Sequence, residues 1–236
     1  AKVYGYSKKI EKDHLNFRVL KLKNKIFQTN GDVCDKIKLT RFLKKIKPDI
    51  IFHLAAQSLV KKSYNDPLNT FKSNSIGVLN VLEISRNLKN LKSLVIVTSD
   101  KCYKNSEKKG GYKENDQLSG SDPYSGSKAA AEIIFNSYKM SFYDKKLNLG
   151  LVSARAGNVI GGGDWSQDRI IPDFIKSIKY KKKFIIRSPK STRPWQHVFD
   201  LINGYLLLSF KSYGNNKFNG SWNFGPNKTN SIQVLE

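Results

Sequence analysis

Tyr124 and Lys128 stand four residues apart in the run Tyr124-Ser-Gly-Ser-Lys128. On a helix this spacing puts a phenol and an ammonium on one face. A phenol titrates near 10 and is a poor base at neutral pH, but a neighbouring cation favours the phenolate and lowers that value. The pair therefore reads as a general base beside its activating charge. Alone the spacing is weak, because solvated Tyr and Lys share helix faces by chance. A second group strengthens it. The apolar run Leu94-Val-Ile-Val-Thr98 ends in Ser99-Asp100-Lys101, placing a hydroxyl, a carboxylate and an amine at a strand's carboxyl end. Such a hydroxyl polarises a carbinol or carbonyl, and the other two shuttle protons. The bland alternatives, a turn cap for Asp100 and a surface charge for Lys101, do not account for the combination.

Further along, Gly161, Gly162 and Gly163 are consecutive, and their backbone amides could converge on an anion. A plain surface loop is the competing reading. Arg169, Arg187 and Arg193 are three of only 7 arginines beside 35 lysines. Their concentration in this part of the chain points to sites where a planar, bidentate donor meets phosphate. His53 reads as a packed core histidine. For His197 a structural hydrogen bond is favoured over catalysis, and His14 carries no signal.

The elements that must position these groups alternate between strand and helix. Strands are expected at Lys2–Tyr6, Ile50–Leu54, Ser93–Thr98 and Leu149–Ala154. The last three are unbroken apolar runs, as in parallel strands covered on both faces. Asp35 opens a helix that Pro48 closes, and Asp66-Pro67 opens another with aspartate as N-cap and proline in the first turn. A third helix runs from about Pro123 to Tyr143. Beyond Ala156 a helix from Arg169 to Tyr180, a short strand Phe184–Arg187, a helix near Val198–Phe210 and a strand Ser221–Phe224 are expected. This alternation predicts an α/β fold, a doubly wound parallel sheet whose ligands sit beyond the carboxyl ends of its strands.

The formal net charge of +23 raises the question of nucleic acid. Its makeup argues otherwise, since lysines scattered over nearly every segment lack the arginines that dedicated readers use for bidentate contacts. Cys34 and Cys102 form no metal or redox spacing and imply no disulfide framework. No apolar run approaches the length that crosses a bilayer. A cytoplasmic protein with reduced thiols, without membrane or nucleic-acid partners, is expected. The chain opens inside what reads as a strand and stops at Glu236 in what reads as the first turn of a helix. It is therefore expected to be a fragment truncated at both ends.

These residues resemble a known family, the extended short-chain dehydrogenases/reductases. Phe52-His-Leu-Ala-Ala-Gln57 is similar to the family's strand-end motif beside the cofactor, and Gly31-Asp32 to its adenine-contacting aspartate. Ser99-Asp100-Lys101 resembles the signature of the family's sugar-nucleotide 4,6-dehydratases, and the match narrows to the branch acting on CDP-glucose. That branch is carried by Thr98-Ser-Asp-Lys-Cys-Tyr103, Gly111-Tyr112, Asp122-Pro-Tyr-Ser125, Arg155-Ala-Gly-Asn-Val-Ile-Gly-Gly-Gly-Asp-Trp165 and Arg193-Pro-Trp-Gln-His-Val198. Position 101 is lysine, where related dehydratases usually carry glutamate.

The resemblance implies a Rossmann-like domain over residues 1–156 and a smaller substrate-binding region over 157–236, partly interleaved with it. It places the first strand and the glycine-rich loop upstream of Ala1. It implies NAD as a bound catalyst, although Ser7-Lys8-Lys9 offers no acid for a ribose hydroxyl and would by charge alone allow NADP. Cofactor contacts fall to Asp32, Leu54, Ala55, Ala56, Gln57, Thr98, Tyr124 and Lys128, and catalysis to Ser99, Asp100, Lys101, Tyr124 and Lys128. Asn158, Arg169, Arg187 and Arg193 would bind the substrate diphosphate. No metal is implied. The expected partners are a small-molecule nucleotide sugar and further copies of the chain in a homo-oligomer. A 4-epimerase or reductase on the same scaffold, and a basic nucleic-acid-binding or regulatory protein, are the rival readings.

Overall fold

A computed structural model describes residues 1–10, 15–108, 110–144, 148–226 and 231–234. In chain order the strands are β1 (Tyr4–Ser7), β2 (Phe27–Asn30), β3 (Ile50–His53), β4 (Ser93–Val97), β5 (Gly150–Ala156), β6 (Val159–Ile160), β7 (Thr192–Pro194), β8 (Gln196–His197), β9 (Gly220–Phe224) and β10 (Ser231–Gln233). The helices are α1 (Leu15–Val19), α2 (Lys36–Ile46), α3 (Val60–Asn65), α4 (Pro67–Phe71), α5 (Gly77–Ser85), α6 (Pro123–Tyr138), α7 (Ile170–Lys179) and α8 (Val198–Ser212).

The central sheet has the order β3-β4-β5-β9 with every pairing parallel, and β1 pairs with β2 in a separate parallel ribbon. Parallel strands need crossovers, and the helices that make them cover both faces. Side chains alternate accordingly. Leu94, Ile96 and Leu151 pack with Leu39, Leu82 and Phe135 of α2, α5 and α6 on one face. Val95, Val152 and Ala154 pack with Leu201, Tyr205 and Leu208 of α8 on the other. Because α8 and β9 join this sheet, the chain beyond Ala156 returns to the layer it left.

Local signals set the helix starts. Asp35 accepts from Lys38 N, and Asp66 accepts from Asn69 N with Pro67 following. Asp122 accepts from Tyr124 N and Ser125 N, while Ser125 Oγ accepts from Asp122 N in a capping box. α6 continues through a π-type turn over Lys139–Tyr143. Lys47, with φ 46°, ends α2 before Pro48.

Three expectations are corrected. Residues 184–187 form no strand: Phe184 packs edge-on against Phe174 of α7, and Ile185 is 70% exposed. Ser231–Gln233 begins no helix; it pairs antiparallel with Thr192–Pro194, and Leu235 and Glu236 lie outside the described residues. β2 was not expected, because Phe27-Gln-Thr-Asn30 lacks the apolar run of a covered strand and its Phe27 is 60% exposed. His14 also lies outside the described residues. Among the described residues no helix is long and apolar enough to cross a membrane, and no acid, histidine or cysteine cluster could hold a metal.

Candidate active site

At the carboxyl ends of β4 and β5 a cleft of about 1130 Å³ opens. Ser99, Asp100, Lys101 and Tyr124 line it together with Asn158, Arg169, Arg187 and Arg193. Four residues expected to do chemistry and four expected to hold substrate thus share one cavity, from segments up to 94 positions apart (99 to 193). Its remaining lining includes the Gly161–Gly163 loop, Trp165, Ser58, Lys61 and Asp168, the last three of which carry no chemical signature in the sequence.

Strand β4 delivers the first group. Past Val97 the chain enters a tight turn over Asp100–Cys102, capped by Ser99, whose Oγ accepts from Lys101 N at 3.2 Å. The same hydroxyl donates to Asp100 Oδ1 at 3.0 Å. Burial raises the Asp100 carboxyl above the ordinary aspartate value, against the opposing pull of Ser99, Lys101 and Arg193. Gly157 leaves room for this carboxylate: a Cβ there would lie 3.1 Å from Asp100 Oδ2 and 2.6 Å from Pro194 Cγ.

Helix α6 delivers the second group. Tyr124 is 8% exposed and Lys128 5% exposed. The i, i+4 spacing predicts that Lys128 lowers the phenol. Instead, burial raises Tyr124 above its usual value; Ser99 and Arg169 oppose the rise, and Asp100 and Asp122 add to it. The ammonium of Lys128 is not among these leading influences. Lys128 itself is pushed down to about 8 by burial, despite the attraction of Glu132. Among the described residues it makes no hydrogen bond or ion pair. His53, fully buried at the end of β3, is lowered to about 4 by burial and by Lys128, and its Nε2 has no partner among the described residues.

The far wall carries the arginines. Among the described residues Arg193 donates only to the neighbouring Thr192 carbonyl, at 2.8 Å. Arg169 lies 3.7 Å from Asp164 and donates to Ser58 Oγ at 3.0 Å. Arg187 lies 3.8 Å from Asp168, which also pairs with Lys61 of α3 at 3.2 Å. The glycine loop is partly a packing feature, since a Cβ on Gly161 would strike Val198 and one on Gly163, with φ 83°, would strike Asn16. His197 caps α8, its Nδ1 accepting from Phe199 N at 3.3 Å.

Of the residues expected at the cofactor, Tyr124 lines this cleft, and Asp32, Leu54, Ala55, Ala56, Gln57, Thr98 and Lys128 fall outside its lining. Leu54 and Ala56 are exposed at the end of β3, with Ala55 half-buried. Asp32, at the end of β2, pairs with Lys8 at 3.0 Å and accepts from Cys34 N, which hold its carboxyl low against burial. The Gln57 side chain is committed to Leu59 and Thr70, and its backbone to Asn74. Thr98 turns its hydroxyl inward to Glu132.

Glu132 belongs to a group the motif reading missed. Its carboxylate takes Arg155 Nη2 at 2.6 Å and the hydroxyls of Ser153 and Ser221, and both charged side chains are wholly buried. Two signals were available. Glu132 extends the Tyr124, Lys128 stripe by another turn, and Arg155 interrupts an otherwise small and apolar strand.

A family model described as GDP-mannose 4,6 dehydratase matches residues 3–219. The chain belongs to that family. A curated member, the CDP-glucose 4,6-dehydratase of Salmonella typhimurium, is 43% identical over 215 residues, covering 89% of this chain and 60% of the relative. The chain thus spans less than two thirds of that relative's length. Among solved structures, the dTDP-glucose 4,6-dehydratase of Streptomyces venezuelae with NAD bound superposes with a TM-score of 0.80 at 21% identity, covering 95% of this chain and 67% of the other. The UDP-glucuronic acid 4-epimerase of Bacillus cereus, in complex with UDP-glucuronic acid and NAD, gives 0.81 at 21% identity, covering 99% and 72%. At that identity the two structures establish the common fold, which dehydratases and epimerases of the family share.

Proposed function

We propose that this chain carries the reaction centre of an NAD-dependent nucleotide-sugar 4,6-dehydratase that converts CDP-glucose to CDP-4-keto-6-deoxyglucose. The observation that carries the reading is the meeting of Ser99, Asp100 and Lys101 with Tyr124 in one cleft. A carboxyl group and an amine beside the phenol serve an elimination, for which a 4-epimerase has no use. The choice of CDP-glucose rests on the similarity to the Salmonella enzyme.

The residues present fit NAD. Lys128 is a buried ammonium with no partner among the described residues, which a ribose hydroxyl would satisfy. Exposed Leu54 and Ala56, with Ala55, would let backbone approach the dinucleotide, and Asp32 would meet its adenosine end. NAD rather than NADP follows from the solved structures of like fold, which hold NAD. Thr98 and Gln57 would take part through backbone, since their side chains are engaged within the protein. When bound, NAD would supply the hydride acceptor for C4 and the hydride donor for C6, with no external reductant consumed.

The chain's own groups do the rest. Tyr124, whose phenolate the positive charge of a bound oxidised nicotinamide would favour against the effect of burial, takes the proton of the 4-hydroxyl while Ser99 hydrogen-bonds that oxygen. Once C4 is a ketone, the C5 proton is acidic, and Lys101 in the cleft is placed to remove it. Asp100, whose raised pKa favours the protonated form, donates to the departing 6-hydroxyl, which leaves as water. Arg193 and Asn158 hold the diphosphate, with Arg169 and Arg187 recruited from their aspartate partners. In this reading residues 1–156 serve the cofactor and 157–236 the nucleotide sugar, in a cytoplasmic homo-oligomer that needs no nucleic acid.

The test is incubation of the full-length, NAD-loaded protein with CDP-glucose, dTDP-glucose and UDP-glucose, followed by mass spectrometry of the products. Loss of water from CDP-glucose in preference to the others is expected. A product of unchanged mass with inverted C4 would assign an epimerase, and no turnover of any of the three would overturn the proposal.

A further inference from the structure

Glu132 joins two parts of the site that are distant in sequence. It lies one turn beyond Lys128 and two beyond Tyr124 on α6. One carboxylate oxygen accepts the hydroxyl of Thr98, the residue that leads out of β4 into Ser99-Asp100-Lys101. The other accepts Arg155 at 2.6 Å, Ser153 at 3.0 Å and Ser221 at 3.1 Å, from β5 and β9. Arg155 is held in turn by Tyr103 Oη at 2.7 Å and the Glu114 carbonyl at 2.9 Å. Both oxygens of the carboxylate are therefore in use.

A buried ion pair is weak evidence for stability, because well-packed apolar side chains of similar volume often do as well. What apolar packing does not supply is direction. A carboxylate with fixed partners on two strands and at the end of a third sets the register between a helix and a strand end, as satisfied buried networks do. We propose that Glu132 is a positioning residue, which clamps the strand end bearing Ser99 and Asp100 to the helix bearing Tyr124 and Lys128. The proposal rests on the dehydratase reading above. Under it the phenol and the carboxyl group address neighbouring carbons of one sugar, so their relative placement limits the rate. Displacements near 1 Å in such arrangements cost roughly a hundredfold.

Two variants of the full-length, NAD-loaded protein test the clamp. Thr98→Val keeps the shape and the Glu132–Arg155 pair but removes the hydroxyl. Glu132→Asp keeps the charge beside Arg155 but is one methylene too short to reach Thr98 as well. Both are expected to retain bound NAD, to keep KM within about twofold, and to lose kcat by roughly ten- to a hundredfold. Hydrogen exchange at the amides of Lys101, Cys102 and Tyr103 is expected to accelerate in Thr98→Val. Wild-type kcat in either variant, or a loss of NAD matching the loss of rate, overturns the clamp. If the wild-type protein turns over no nucleotide sugar, the dehydratase reading fails instead, and unchanged exchange in Thr98→Val would then refute the clamp on its own.

Discussion

Lys128 should cost this protein stability, and replacing it with methionine should make the cofactor-free chain harder to unfold. The ammonium is 5% exposed and has no hydrogen-bond or ion-pair partner among the described residues. Burial lowers it from 10.5 to about 8, and the nearby Glu132 and Cys102 recover only part of the loss. His53, the other titratable group facing it, is itself held neutral. At 1.36 kcal/mol per pKa unit, the difference corresponds to about 3 kcal/mol. The sign follows from proton binding. Between pH 8 and 10.5 the unfolded chain holds the proton and the native chain has released it, so stability from this group rises with pH across that window. Below it both states are charged, and the native one bears the full penalty. Lys128→Met, which keeps the aliphatic stem, is therefore expected to raise the unfolding free energy at pH 7 by about 3 kcal/mol, or the melting temperature by roughly 6–12 °C. The gain should fade as pH approaches 10.5 while turnover is lost. Urea unfolding followed by circular dichroism at pH 7, 8, 9 and 10 measures it, with wild type and variant compared at each pH so that other lysines cancel. A variant less stable at pH 7, or a gain independent of pH, would show that the ammonium is not an uncompensated buried charge.

Tyr124→Phe keeps the ring's packing and removes the proton acceptor; turnover should drop about a hundred- to ten-thousandfold with an unchanged melting temperature, and near-normal kcat would remove Tyr124 from the mechanism. Asp100→Asn should stall the cycle after oxidation, so that mixing with CDP-glucose builds up the absorbance of reduced nicotinamide; no build-up together with full product release would make Asp100 structural. Raising pH should likewise slow elimination in the wild type, because the protonated form favoured by burial is lost as pH passes the elevated Asp100 value. Arg193→Ala, at a guanidinium that among the described residues donates to the adjacent Thr192 carbonyl and to no other group, should raise KM about ten- to a hundredfold with little change in kcat, and a change in kcat alone would place it at the reacting carbons.

Much of the architecture was legible because it is written locally. Asp35 and Asp66 were marked as helix starts, and each accepts the expected backbone N–H; Asp122 caps α6 in the same way without having been singled out. Unbroken apolar runs marked β4 and β5, since only strands covered on both faces tolerate them. Edge elements were harder. β2 and β10 are held by backbone pairing with one neighbour, and that pairing leaves little trace in side-chain pattern. Phe184–Arg187 failed for the converse reason, because Phe184 packs on Phe174 of α7 and Ile185 faces outward, with no strand pairing formed among the described residues.

The site divides in the same way. Sequence alone determined which groups are available: Tyr124 and Lys128 by helical spacing, Ser99-Asp100-Lys101 by their place at a strand end, and the arginines by their rarity among lysines. It did not determine their electrostatics. The i, i+4 spacing put an ammonium near a phenol and implied a lowered phenol. The fold buried both instead, so that desolvation outweighs the pair's attraction, raising Tyr124 and lowering Lys128. Nor could it pair Glu132 with Arg155 and Thr98, which are 23 and 34 residues away. Spacing along one helix is a local property, fixed by 3.6 residues per turn. Burial and contacts between strands depend on how the whole chain is wound, and only the tertiary structure decides them.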